Sequence, residues 1–287
     1  NIDELTRANC GCTLIATFGT ETSKSAILTA CRGYRGKGSG YTKVISGRDN
    51  LSDPKIEGKE VHFEGIDIDT AQYYGNEKEV GEAIRASKVP REEIFVTTKT
   101  ATSGYSSTKA GIENSLRKFG FSYFDLIIIH WPTGDDIGTY KALEEAYKQG
   151  KCKSIGLSNF NQRQFLEIYN NFETKPVLNQ IETHLHFQEK KMHEFLLKYN
   201  CIHESWSPLG GKGANTLKDQ KLAIIAEKYK KTPAQIALRF LLQLNIVIIP
   251  KTVNRNRMVE NLDIFNFEIK DEDMKELSKL DTGRGGY

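Results

Sequence analysis

Neither sign of charge dominates this chain: 40 lysines and arginines stand against 37 aspartates and glutamates, a formal net charge of +3 over 287 residues. That balance gives a polyanion no handle, so neither nucleic acid nor a membrane surface is expected as a partner. Long apolar runs are missing as well. No stretch approaches the ~18 consecutive apolar residues that a membrane helix needs. The opening NIDELTRANC lacks the apolar core of a signal peptide. The chain begins at Asn1 rather than at a methionine, which leaves room for residues before it. Cysteine builds no framework either. Five are present, an odd number, and their spacing suits neither a zinc site nor a set of disulfides. Reduced thiols in a cytoplasmic protein, with no metal, are the expectation. Nothing in the composition demands more than a monomer.

What is present is a repeating alternation. Short runs rich in Ile, Val, Leu and Phe recur at 13–19, 63–69, 93–99, 123–130, 154–158, 176–180, 201–206 and 246–251. Between most of them lie segments of helical period, such as 77–87, where Val80 and Ile84 fall at i, i+4. Others are 107–119, 139–150, 161–172 and 189–200, and Thr232-Pro233 has the form of a cap followed by a first-turn proline. Strand and helix in strict alternation predict a parallel sheet covered by helices. Eight strands in a chain near the ~250 residues typical of such barrels predict closure into a (β/α)8 TIM barrel, here as one domain over 1–287. One stretch breaks the pattern. From Gly33 to Glu60 the chain is rich in Gly, Ser, Asp and Lys without a period, and reads as a flexible polar insertion between the first helix and the second strand. Its Gly36, Gly38 and Gly40 lack the flanking strand and helix of a dinucleotide fingerprint.

Polar residues gather where the predicted strands end. Asp69, Lys99 and His130 close three consecutive strands; Ser158-Asn159, Asn179-Gln180 and Lys251 close three more. In a TIM barrel those ends share one rim, where the active site lies. An isolated polar strand end means little, and an Asp–Lys pair by itself is more often structural. Six such ends aimed at one rim make a site. Tyr74, five residues beyond Asp69, can fold back over the same point, with Tyr73 as its neighbour and competitor. A lysine beside a phenol is expected to lower its pKa by favouring the phenolate. Together these residues make a proton-donating site for an oxygen that becomes negative as a carbonyl accepts hydride.

The same residues carry a family resemblance. GIDIDTAQYYGNEKEVGEAI, FVTTK, DLIIIHWP, IGLSNF, VLNQIE, ESWSPLG and IPKTVNRNRMVEN stand in order from about Gly65 to the C-terminus, some three quarters of the chain. They resemble the motifs of the aldo-keto reductases, in the style of the microbial and protist members. The resemblance implies a catalytic tetrad of Asp69, Tyr74, Lys99 and His130, with Tyr74 the proton donor. It implies NADPH as cofactor: Ser158, Asn159 and Gln180 on the nicotinamide carboxamide, Trp206 stacked on the ring, and Ser207 and Leu209 beside it. Lys251, Thr252, Arg257, Glu260 and Asn261 match the segment that grips the adenosine end. The planar fork of an arginine suits the 2′-phosphate that NADPH carries and NADH lacks. Trp131 is implied in the substrate pocket.

The implied reaction is reduction of an aldehyde or ketone, a small-molecule carbonyl, to an alcohol. Departures fall outside the tetrad. TFGTE (17–21) puts Glu21 where relatives often have an aromatic, and the chain stops at DTGRGGY, where many continue into a further loop. A cofactor-binding regulatory protein on the same barrel is the alternative, and the four intact tetrad positions count against it. A hydrolase with paired carboxylates has only Asp135-Asp136 to draw on, and adjacent loop residues rarely face one another.

Overall fold

The computed structural model describes residues 11–14, 43–45, 60–62, 66–87, 90–210, 215–252 and 254–286. Seven strands run parallel, each hydrogen-bonded to the next: β4 (Ile66–Asp69), β5 (Phe95–Thr100), β6 (Leu126–Ile129), β7 (Ile155–Ser158), β8 (Leu178–Glu182), β9 (Ile202–Trp206) and β10 (Val247–Ile249). The ring closes through β1 (Gly11–Leu14), which pairs with both β4 and β10. The fold is a (β/α)8 TIM barrel, as the alternation predicted.

The first strand departs from its prediction. It runs antiparallel to both neighbours, and it spans Gly11–Leu14, which takes in 13 and 14 of the predicted 13–19. Either direction lets a closing strand satisfy the edge groups of its two neighbours, so an apolar run specifies a strand without specifying its direction. Within the segment 33–60, Lys43–Ile45 (β2) pairs antiparallel with Glu60–His62 (β3), so part of it is ladder rather than loop. The remainder of that segment, and residues 15–19, lie outside the described residues.

Helices cover the outside: α1 (Glu77–Ser87), α2 (Tyr105–Phe119), α3 (Asp136–Lys148), α4 (Gln162–Asn171), α5 (Lys190–Lys198), α6 (Gln220–Tyr229), α7 (Pro233–Gln243), α8 (Arg255–Leu262) and α9 (Asp271–Ser278). Their starts follow from local chemistry. The Asn161 side chain accepts from the Gln164 backbone N–H, and Thr232 accepts from that of Gln235; each completes a capping box. Pro233 occupies the first turn of α7, where its missing N–H costs nothing. Helix α1 sits close to the end of α2, because Gly81 has no side chain: a Cβ there would lie 1.9 Å from the Phe119 carbonyl oxygen.

Strands β5, β6, β7 and β8 are buried along their whole length, as a sheet covered on both faces requires. At the N-terminal end of the barrel, Asp125 just before β6 is fully buried. It accepts from the Val96 N–H and pairs with Arg91 (2.7 Å) and Lys153 (2.9 Å). That network ties down the end of the barrel remote from the polar rim.

Candidate active site

Asp69, Lys99 and His130 come together at the C-terminal mouth, on or just after β4, β5 and β6. Lys99, fully buried, forms an ion pair with Asp69 and donates to the Thr70 carbonyl at 3.2 Å. A short 3-10 turn, Gln72–Tyr74, follows β4 and brings the Tyr74 hydroxyl to 3.3 Å from Lys99 Nζ. The turn ends on Gly75 at φ 70°, a left-handed position that suits a glycine. The Tyr74 ring stands edge-on to His130, centroids 5.6 Å apart. Tyr73 also meets the His130 ring, at 6.4 Å, but its side chain is 81% exposed. Lys99 therefore chooses between the two tyrosines.

The electrostatics correct one expectation. Burial raises the Tyr74 pKa, Lys99 lowers it, and Asp69 raises it again; the balance lies above the ordinary phenol value. The predicted lowering by Lys99 is real but smaller than desolvation. Tyr74 is thus a neutral phenol at pH 7, carrying the proton that a donor must give. Lys99 remains an ammonium. Burial opposes its charge, but Asp69 and Tyr74 together hold its pKa above the usual lysine value. His130 is pushed down to about 4 by burial and then by Lys99, so its imidazole is neutral. A neutral ring can donate a hydrogen bond to a substrate oxygen without adding charge.

A second group of side chains lies next to the first. Ser158 donates to the Gln180 carbonyl at 2.8 Å, and Asn159 Nδ2 bonds both Ser158 Oγ and the His130 carbonyl at 3.0 Å. The Trp206 indole donates to Asn159 Oδ1 at 2.9 Å. Asn159 (φ 63°) and Ser207 (φ 54°) both hold left-handed backbone at strand ends, a strain that collects at working sites. Trp131 meets Trp206 at 6.4 Å between ring centroids, forming an aromatic wall at the rim with Tyr73 nearby on His130. Leu209, in the turn after β9, packs on the core.

Lys251 and Arg257 are exposed, one just after β10 and the other in the first turn of α8. Asn254 caps that helix, and Thr252 Oγ1 accepts from the Asn254 N–H. Two exposed cations beside a capped helix start suit a phosphate. Glu260 accepts from the Thr232 hydroxyl at 2.5 Å, and Asn261 is buried. The donor set therefore fits a phosphorylated nicotinamide dinucleotide: amide and hydroxyl groups with an indole at the mouth, and cations along the rim.

Sequence reasoning missed Glu204. It lies in the middle of β9, fully buried, and Gln180 Nε2 bonds Glu204 Oε1 (2.6 Å) and Asp69 Oδ2 (2.9 Å) together. An acid in the middle of a strand is a signal, but reading only the strand ends overlooks it.

Comparison with known proteins gives a consistent answer. Residues 66–282 match the profile described as the aldo/keto reductase family. The 9,11-endoperoxide prostaglandin H2 reductase of Trypanosoma cruzi is 42% identical over 221 residues, 76% of this chain and 78% of that protein. The glyoxal reductase of Bacillus subtilis is 39% identical over 85% of this chain and 87% of its own length. A solved aldo-keto reductase complexed with NADPH superimposes with a TM-score of 0.71 at 31% identity, over 76% of this chain and 74% of that one.

Proposed function

The chain belongs to the aldo/keto reductase family, and from that membership we propose that Tyr74 is the acid in its reduction of a carbonyl group to an alcohol with NADPH. One observation carries the assignment: the Tyr74 hydroxyl lies 3.3 Å from an ammonium that is buried and paired with Asp69.

NADPH, when bound, supplies a hydride to the carbonyl carbon. The residues of the chain manage the oxygen. His130, neutral, donates a hydrogen bond that orients the carbonyl and polarises it. As negative charge builds on that oxygen, Tyr74 gives up its proton to it. The phenolate left behind is stabilised by Lys99, whose own charge Asp69 preserves in the buried site. Solvent returns the proton to Tyr74, which stands half exposed at the mouth. Ser158, Asn159 and Gln180 would hold the nicotinamide amide, with Trp206 against the ring and Ser207 and Leu209 beside it. Lys251, Thr252 and Arg257 would hold the 2′-phosphate, with Glu260 and Asn261 at the adenine end.

Small reactive aldehydes and dicarbonyls are the substrates we assign, since the mouth is walled by partly exposed aromatic rings with Trp131 on the substrate side. The T. cruzi and B. subtilis relatives are named for an endoperoxide and for glyoxal. Cys152 and Cys201 are free and buried. No described helix is long and apolar enough to cross a membrane.

The test is NADPH oxidation with nitrobenzaldehyde and with glyoxal, wild type beside Tyr74→Phe. Turnover that disappears in the variant, with NADPH still quenching tryptophan fluorescence, supports the assignment. A variant that turns over as fast as wild type would remove Tyr74 from the mechanism.

A further inference from the structure

Below the mouth, among the described residues, one ammonium and two carboxylates come together around Gln180. Lys99 on β5 pairs with Asp69 on β4. Glu204 on β9 is the second acid, fully buried, and lies beside Gln180 in the β8–β9 register. The Gln180 amide nitrogen spans the two acids, 2.9 Å from Asp69 Oδ2 and 2.6 Å from Glu204 Oε1. With one hydrogen directed to each, the bridge fixes the Asp69 oxygen that does not face Lys99. The other strand beside Glu204, β10, is apolar and faces it with Val247. Among the described residues, Asp69 and Lys99 are thus the charged groups that act on it.

We propose that Glu204 is a positioning residue for the reduction: through Gln180 it holds Asp69 in place, and its ionisation adds a buried negative charge that opposes proton release from Tyr74. The inference rests on the assignment of Tyr74 as the acid.

The charge balance gives the direction. With Glu204 protonated, the Lys99–Asp69 pair is neutral overall, and the phenolate that forms on proton transfer is countered by Lys99. With Glu204 ionised, the site already carries one surplus negative charge, and a second must form beside it in a medium that screens poorly. Burial, then repulsion from Asp69, lifts the Glu204 carboxyl to about 7, against a lowering by Gln180 and Lys99. The switch between the two forms therefore falls near neutral pH. Glu204 lies two residues before Trp206 on β9, fully buried beneath the mouth, which separates it from the residues exposed there.

The pH dependence of kcat/KM in wild type and Glu204→Gln decides the matter. Glutamine keeps an acceptor for Gln180 and is neutral at every pH. The wild-type enzyme is expected to lose on the order of tenfold in kcat/KM between about pH 6 and about pH 8, with the NADPH KM little changed. Glu204→Gln should lack that limb. If Tyr74→Phe is inactive and Glu204→Gln keeps the wild-type profile, this proposal falls and the Tyr74 assignment stands. If Tyr74→Phe turns over, both fall. Should Glu204→Gln not fold, infrared spectroscopy of the wild-type protein gives the answer. A buried protonated-carboxyl band that titrates across neutral pH supports the proposal, and its absence overturns it.

Discussion

The indole N–H of Trp206 lies 2.9 Å from Asn159 Oδ1, joining the ends of β9 and β7 across 47 residues of chain. Asn159 holds left-handed backbone at φ 63°, and its amide nitrogen is fixed on the His130 carbonyl and Ser158. Trp206 thus serves twice, as a flat face at the rim and as the bond that fixes Asn159. Trp206→Phe keeps the first role and loses the second. A neutral hydrogen bond is worth about 1 kcal/mol, so NADPH should bind roughly fivefold more weakly, with kcat less affected. Fluorescence titration beside steady-state kinetics checks this.

Arg257 stands exposed in the first turn of α8, near the exposed Lys251. If it reads the 2′-phosphate, Arg257→Ala should raise the KM for NADPH by about tenfold or more, the loss of a charge-assisted bond. The KM for NADH should hardly move. Parallel kinetics with the two cofactors measure it, and equal losses for both would place the arginine elsewhere on the nucleotide.

His130 predicts a stability that falls in acid. Burial and Lys99 hold its pKa down at about 4 in the folded protein. The unfolded chain takes up that proton near the ordinary value of about 6.5. Between those two values the unfolded state binds more protons, so stability declines as pH falls from about 6.5 to about 4 and then levels off. Because the ring is partly reached by solvent, the loss is on the order of 1 kcal/mol. Fully buried His203, whose pKa burial also lowers and His193 lowers further, adds to it with the same sign. Denaturant titrations at neutral and acid pH measure the total, and His130→Asn should narrow the difference.

Asp125 supports the opposite end of the barrel. It is fully buried between Arg91 and Lys153. Asp125→Ala takes away the carboxylate that Arg91 and Lys153 share, leaving Arg91 only the Ile94 and Tyr123 carbonyls, and should cost about 3 kcal/mol in denaturant unfolding. Because the site lies at the other mouth, kcat of the folded variant should stay close to wild type.

Gly81 sets the approach of α1 to α2. A methyl group at this position would meet the Phe119 carbonyl oxygen and carbon, at 1.9 and 2.8 Å, and these are backbone atoms that cannot turn aside. Gly81→Ala should therefore destabilise by about 1–3 kcal/mol despite the better helix propensity of alanine. Thermal unfolding measures it.

Much of this protein is legible in one dimension. The spacing of apolar runs specifies seven of the barrel strands to within a few residues, because a strand buried on both faces is rich in Ile, Val, Leu and Phe. The tetrad is legible because a polar residue that ends such a run must be used or paired, and three consecutive strands end so, at Asp69, Lys99 and His130. What the sequence does not carry is the outcome of competition between neighbours. The direction of β1 depends on which edges remain open once the other strands have paired. The sign of the Tyr74 shift depends on how much hydration folding takes from the phenol, and that desolvation outweighs the ammonium 3.3 Å away. Glu204 is one letter in a strand until folding sets it beside Gln180, 24 residues back, and through it beside Asp69. Residue types and spacing determine which groups reach the mouth of the barrel; distance and desolvation, which exist only in the folded chain, decide the charge each one holds there.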